Sequence, residues 1–201
     1  MKTGNRSRST TLLGLLTAIL MVLSMTPLGY LNIGPLAISF NMIPVAVGAA
    51  ALGPVGGAVL GGVFGMTSFL QCIGIGGSSA MGVILFDINP FFAFVQRFVP
   101  RLVTGFLVGV IYLVARKFTK GSIAGSIAGF FAAFLNTALF MGALVLLFGN
   151  TQYLEDVMAG RNTLTFILSF VGINAVFEML VSTLVTGVLC TTLERARLMR
   201  R

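Results

Sequence analysis

The 201-residue chain contains no histidine, two cysteines and five acidic residues. Without histidine it cannot build a His-ligated zinc site or a Ser-His or Cys-His nucleophile. No G-x-x-x-x-G-K-[ST] segment occurs, so the chain does not hydrolyse ATP through a P-loop. The few acids, scattered along the chain, argue against a carboxylate-metal transferase site. The sequence therefore predicts a protein that is not an enzyme, has no cofactor or metal of its own, and works by binding or transport.

The two cysteines, Cys72 and Cys190, lie in apolar segments and lack the paired spacing of a zinc site or a disulfide scaffold. We interpret both as small buried apolar residues.

Charge is also scarce, at 9% of residues against 57% hydrophobic, and the mean hydropathy is +1.02. A soluble domain needs far more polar cover, so the composition predicts an integral membrane protein. Most of the thirteen Lys and Arg lie in residues 1–8, 116–120 and 195–201. Basic segments beside membrane helices stay on the cytoplasmic side, where anionic lipid attracts them; nucleic-acid binding would instead need a basic face on a folded domain.

Six apolar stretches have about the length that a membrane helix needs. They cover residues 10–28, 36–52, 55–73, 90–116, 122–148 and 164–194. We therefore predict an all-α membrane protein, a bundle of six transmembrane helices with both termini in the cytoplasm. The domains would be a basic N-terminus (1–9), the transmembrane domain (10–195) and a basic tail (196–201). The stretch 10–28 is longer than a signal-peptide core, so we interpret it as a retained first helix.

Glycines recur every four residues in the third stretch, at Gly57, Gly61 and Gly65. Such a bare face lets another helix approach closely. It indicates either packing within this protein or a docking face for a separate membrane subunit, and a weaker stripe at Gly121, Gly125 and Gly129 has the same two interpretations.

Polar residues inside membrane helices are the main functional candidates, because burying them is costly. Arg97 and Arg101 lie on one face of the fourth helix, roughly 10 and 16 Å below its outer end. Asn174 and Glu178 lie at roughly 16 and 21 Å in the sixth helix, and Asn136 lies near the middle of the fifth. A cavity lined by these residues suits a small organic anion, since guanidinium binds carboxylate through two parallel donors.

An alternative pairs Arg101 with Glu178 and Arg97 with Asp87, which leaves no positive charge for a ligand. The segment from Gln71 to Asn89 is rich in Gly and Ser. It has the composition either of a flexible cover over the cavity or of a solvated connector.

Several segments resemble a known family. They are Phe40-Asn-Met-Ile-Pro44-Val, Ala51-Leu-Gly53-Pro54-Val-Gly56-Gly57-Ala, Asn89-Pro90 and Val99-Pro100-Arg101. Together with the six spans and the basic N-terminus, they resemble the substrate-binding S components of energy-coupling factor (ECF) vitamin transporters, in particular the riboflavin and pantothenate branches.

The resemblance implies a multi-pass protein of the bacterial plasma membrane that captures a vitamin from outside. It would deliver the vitamin by toppling in a complex with a transmembrane coupling subunit and two ABC ATPases, which hydrolyse the ATP. Small-residue faces of helices one and three would meet the coupling subunit, and these map to Gly14, Ala18, Gly57, Gly61 and Gly65. The ligand pocket would use the outer halves of helices four to six and the loops, which map to Arg97, Arg101, Asn136, Asn174, Glu178, Asn89 and Gln71.

Pantothenate fits the arginines better than riboflavin does, because it carries a carboxylate, with hydroxyls and an amide that Asn136 and Asn174 could address. Other vitamins remain open, as do a stand-alone secondary transporter or channel and a scaffold without a ligand. A secondary transporter of known repeat type would show two matching halves, and the chain has no convincing internal repeat.

Overall fold

A computed structural model describes residues 3–26, 30–33, 36–77, 79–158, 160, 162–196 and 198–199. In chain order the elements are α1 (Thr3–Met25), β1 (Tyr30–Ile33), β2 (Leu36–Ser39), α2 (Met42–Leu52), α3 (Pro54–Leu70), α4 (Ala80–Ile88), α5 (Pro90–Phe118), α6 (Gly121–Phe148), α7 (Gln152–Met158) and α8 (Thr163–Arg195). A 3₁₀ turn, Gln71–Ile73, follows α3.

Five helices contain a stretch that is long and apolar enough to cross a membrane, counted over the described residues. These stretches are Ser7–Met25, Pro54–Ile73, Pro90–Phe118, Gly121–Phe148 and Asn174–Arg195. They confirm the predicted all-α membrane fold. The sixth apolar helix is the shorter α2.

The helix α2 lies at the centre of the bundle, in contact with α1, α3, α5, α6 and α8. Its residues are small and almost all buried, and Val45, Ala46 and Ala49 are fully enclosed. Its eleven residues extend about 17 Å, well short of a hydrocarbon core about 30 Å thick.

The predicted span 36–52 is therefore wrong in its first part. Residues 36–39 form the strand β2, which pairs antiparallel with β1 so that Tyr30 lies opposite Ser39. The ring of Pro44 would clash with the carbonyl of Phe40 in a longer helix, but it is tolerated in the first turn of α2.

Two short helices lie where the sequence predicted loops, α4 within 74–89 and α7 within 149–163. Ser79 caps α4, since its hydroxyl accepts a hydrogen bond from the Gly82 N–H at 3.2 Å. Leu85 of α4 and Leu154 of α7 are buried with side chains from the outer ends of α5 and α6. The two short helices therefore cover the end of the bundle that is predicted to face outside.

The glycine stripe of α3 packs inside the protein, as the first interpretation proposed. A Cβ at Gly61 would overlap the carbonyl oxygen of Arg101, and one at Gly65 would lie 2.8 Å from the Cα of Phe98. Gly57, Gly61 and Gly65 are all buried against α5, which corrects their assignment to partner docking. The stripe of α6 similarly packs on α8, where a Cβ at Gly125 would lie 2.7 Å from the Cβ of Cys190.

Candidate functional site

Two arginines lie within the bundle on one face of α5. Arg97 and Arg101 are each only 6% exposed, and they lie about 10 and 16 Å along the helix from its start at Pro90. Both guanidinium groups are therefore inside the protein at membrane depth.

Aromatic rings flank the two guanidinium groups. The Cζ atom of Arg101 lies 4.5 Å from the ring centroid of Phe64 and 4.9 Å from that of Phe140. Arg97 uses the same Phe140 ring, at 5.3 Å. Each such cation–π contact contributes about 2 kcal/mol when the groups are desolvated. Phe140 therefore stabilises both charges at once.

The two arginines differ in their hydrogen-bond partners. Arg97 donates to the hydroxyls of Ser68 on α3, at 3.3 Å, and Ser79 at the start of α4, at 3.1 Å. Arg101 donates from Nη1 to the carbonyl oxygen of Arg97, at 2.6 Å. Arg97 therefore links three helices, and this hydrogen bond of Arg101 connects two residues of α5.

Glu178 of α8 is the predicted acidic member of the site. Its carboxylate accepts a hydrogen bond from the backbone N–H of Ser39 at 2.5 Å, and it interacts electrostatically with Arg101. The pairing of Glu178 with Arg101 in the alternative interpretation stays a prediction.

The second pair of that alternative is not favoured. Asp87 is exposed near the end of α4, about 12 Å along the helix from Ser79, to which Arg97 donates. The Arg97 guanidinium therefore lies at the opposite end of α4 from this carboxylate.

The two asparagines lie at the same depth as the arginines. Asn136 is about 18 Å from the outer end of α6, and Asn174 is about 16 Å from that of α8. Both are half-buried, and within the described part of the chain the side-chain oxygen of Asn136 is buried with no hydrogen-bond partner. A buried carboxamide oxygen of this kind suits a donor brought by a ligand.

The remaining two candidates have structural partners. The side-chain amide of Gln71 donates to the carbonyl oxygen of Ser24 at 2.5 Å, which fixes the end of α3 to α1. Asn89 caps α5, where its side-chain oxygen accepts from the Phe92 N–H at 3.1 Å. These contacts support the elements around the site.

The rings and hydroxyls that surround the arginines were not predicted from the sequence. Helical spacing contained a signal for some of them, because Phe140 lies four residues after Asn136 and Ser68 lies four residues after Phe64. No spacing connects Ser79 to Arg97, since α4 itself was not predicted.

Two outer surfaces are apolar and open. Gly14 and Ala18 are exposed on α1, beside exposed Leu15, Ile19 and Val22, and no atom lies within 4 Å of a Cβ placed at Gly14. A groove of about 480 Å³ runs between α3 and α5; it is lined by Val55, Ala58, Val59, Gly62, Val63, Met66, Phe98, Leu102 and Phe106.

Comparison with known proteins yields one family match. A family model described as "ECF transporter, substrate-specific component" matches residues 8–190, which is most of the chain. No curated protein shows a significant match.

Proposed function

Because the chain belongs to the family of ECF transporter substrate-specific components, we propose that it captures a small water-soluble vitamin with one carboxylate, and that this vitamin is pantothenate. Membership also makes the chain an integral membrane protein that works with ECF coupling and ATPase subunits. Delivery by toppling within that complex is part of the proposal.

The burial of Arg97 and Arg101 is the observation that carries the proposal. An arginine at the centre of a membrane helix costs about 2.5–3.5 kcal/mol on insertion scales. Phe64, Phe140 and the serine hydroxyls offset this cost without removing the charge. A binding site for an anion explains why positive charge lies so deep.

The charge balance of the site favours a ligand with a carboxylate. Arg97 and Arg101 contribute two positive charges, and Glu178 is an acid that interacts electrostatically with Arg101. Positive charge is therefore in excess at the site, and the carboxylate of pantothenate would balance it. Riboflavin has no carboxylate and would leave it unbalanced.

The other polar groups at this depth suit the rest of pantothenate. Asn136 and Asn174 can each donate and accept hydrogen bonds, which matches the hydroxyls and the amide of that vitamin. The buried oxygen of Asn136 supports this role.

Calorimetric titration of the detergent-purified protein with pantothenate and with pantothenol tests the proposal. Pantothenol replaces the carboxylate by an alcohol and keeps the rest of the molecule. We expect it to bind about 100-fold more weakly, since an unpaired buried charge costs 2–5 kcal/mol. Equal affinities for the two compounds would contradict the carboxylate role, and tight binding of riboflavin instead would assign the chain to the other branch.

For partner docking we propose the exposed face of α1 around Gly14 and Ala18. It is apolar, carries two small residues four apart, and is open in the free subunit. Another membrane helix can approach such a face closely.

A further inference from the structure

The contacts of Arg97 connect the ligand site to the cover above it. Its guanidinium donates to Ser68, which belongs to the body of the bundle, and to Ser79, which begins α4. We use the name α4 cover for Ser79 together with α4 (Ala80–Ile88). Arg97 is therefore a bridge between the bundle and the first residue of the α4 cover.

The segment before the α4 cover is held at its start and contains three glycines with positive φ. The side chain of Gln71 donates to the carbonyl oxygen of Ser24. Beyond it, Gly74, Gly76 and Gly77 have φ values of 80°, 75° and 124°, and this is the left-handed region that glycine adopts readily. The backbone N–H of Ser79 donates to the carbonyl oxygen of Gln71 at 3.3 Å, and the Arg97 guanidinium adds a side-chain hydrogen bond to the same residue at 3.1 Å.

The junction beneath the α4 cover is tightly packed. A Cβ at Gly82 would lie 3.0 Å from Nη2 of Arg97 and 2.8 Å from Sγ of Cys72. Cys72 is 2% exposed, and it lies directly under the first turn of α4. If the α4 cover lifted, this thiol would become accessible.

We propose that Arg97 is a positioning residue that holds the α4 cover closed over the ligand site, while Arg101 contacts the ligand. The second half of this statement rests on the proposed function. The first half rests on the contacts of Arg97 alone, with Ser68, Ser79 and Gly82. The two neighbouring arginines thus have separate roles, one in closure and one in recognition of the anion.

The rate at which N-ethylmaleimide labels Cys72 in the purified full-length protein tests the proposal without any ligand. Peptide mass mapping separates Cys72 from Cys190, which is fully buried between α6 and α8 and is the internal control. We expect Arg97→Gln to raise the labelling rate of Cys72 at least tenfold, the size of effect that follows from losing a hydrogen bond to a charged group. The rate at Cys190 should stay unchanged.

Two further variants separate positioning from general stability. Arg97→Lys should return the labelling of Cys72 to within a few-fold of the wild-type rate, because an ammonium group can also donate to the serines. Arg116→Gln, at the opposite end of α5, should leave it unchanged, since Arg116 donates to the carbonyl oxygen of Thr119 and is paired with Glu194. If Arg97→Gln fails to fold, Ser79→Ala should raise the labelling of Cys72, with Ser79→Asn, which keeps an acceptor, as its matched control.

Three results would overturn the proposal. One is that Cys72 is labelled at the wild-type rate in Arg97→Gln, or in Ser79→Ala if Arg97→Gln does not fold. Another is an equal rise at Cys190, which would mean that the whole bundle loosens. The last is an equal rise in Arg116→Gln. A failure of pantothenate to bind would contradict the proposed function, but it would not change what the labelling rates show about Arg97 and the α4 cover.

Discussion

Arginine side chains four residues apart on a buried helix face carry two penalties, since each loses hydration and the like charges repel. In this protein Phe140 contacts both guanidinium groups, and the Arg101 guanidinium lies near the Phe64 ring as well. The rings exclude water without adding negative charge. A carboxylate that arrives beside Arg101 would therefore meet a charge that the protein has only partly balanced, and it would do so at low dielectric, where the attraction is strong.

A substitution of Glu178 tests how the charge of Arg101 is balanced. Glu178→Gln removes the negative charge and keeps an oxygen that can accept the hydrogen bond from Ser39. We expect the affinity for pantothenate to rise several-fold in calorimetry, because Arg101 would lose its internal counter-charge. A loss of binding in this variant would show that Glu178 contacts the ligand or orients Arg101.

The arginine pair and its depth could be predicted from sequence, because both follow from helical spacing and from the length of the apolar stretches. The partners of the arginines could not be predicted. Ser68 is 29 residues from Arg97 in the chain, and which α3 residue faces it depends on how α3 and α5 cross. A single sequence does not determine that crossing.

The helix pairs α3–α5 and α6–α8 pack closely because glycines allow it. Backbone meets backbone between α3 and α5, where Gly57 faces Gly105 and Gly61 faces the carbonyl of Arg101. Apolar side chains gain nothing by leaving lipid, so close van der Waals contact of this kind holds membrane helices together. The packing at Gly61 also fixes the backbone position of Arg101, and so it supports the proposed ligand site.

Substitutions of two neighbouring glycines of α3, one packed against the backbone of α5 and one not, test the packing of these helices. Gly61→Leu should destabilise the purified protein by about 3 kcal/mol and lower its thermal unfolding temperature, because the side chain has no space against α5. Gly62→Leu should have little effect, since a Cβ there meets only side-chain atoms of Phe98 and Leu102, at 3.7 Å or more. Equal unfolding temperatures for the two variants would contradict the α3–α5 packing.

Long elements were more predictable than short ones. The limits of α3, α5, α6 and α8 lie within a few residues of the predicted stretches, because long apolar runs with Pro or Gly at their ends have few alternatives. The hairpin, α4 and α7 were missed. These segments are short, and their structure depends on the outer surface of the bundle, against which Leu85 and Leu154 are buried.

Across the whole molecule, some helix faces are buried within the bundle, and others are exposed and open to a partner. The glycine faces of α3 and α6 are used within the bundle, whereas the α1 face around Gly14 and Ala18 is open. The family implies partnership with ECF coupling and ATPase subunits. The basic clusters predict that the ends of α1 and α8 with residues 1–8 and 195–201 face the cytoplasm, where those ATPases work.

A bulky substitution on α1 tests the docking face. Gly14→Leu should leave calorimetric binding of pantothenate unchanged and should reduce uptake at least tenfold in vesicles that contain the whole transporter, because it blocks close helix approach. Gly142→Leu on α6 is the matched control, since that glycine is also exposed and also has no atom within 4 Å of a Cβ. Normal uptake by the Gly14 variant would place the docking surface elsewhere.

The proposal that Arg101 binds the carboxylate of a vitamin can be tested by titrating the wild-type protein and Arg101→Gln with a set of vitamins. The set should include vitamins with a carboxylate, vitamins without one, and at least one cation, and Arg116→Gln should be the control because Arg116 is exposed and paired with Glu194. We expect the tightest ligand to carry a carboxylate, and Arg101→Gln to weaken it about 100-fold while Arg116→Gln does not. A neutral or cationic vitamin as the tightest ligand, with unchanged affinity in Arg101→Gln, would contradict the claim.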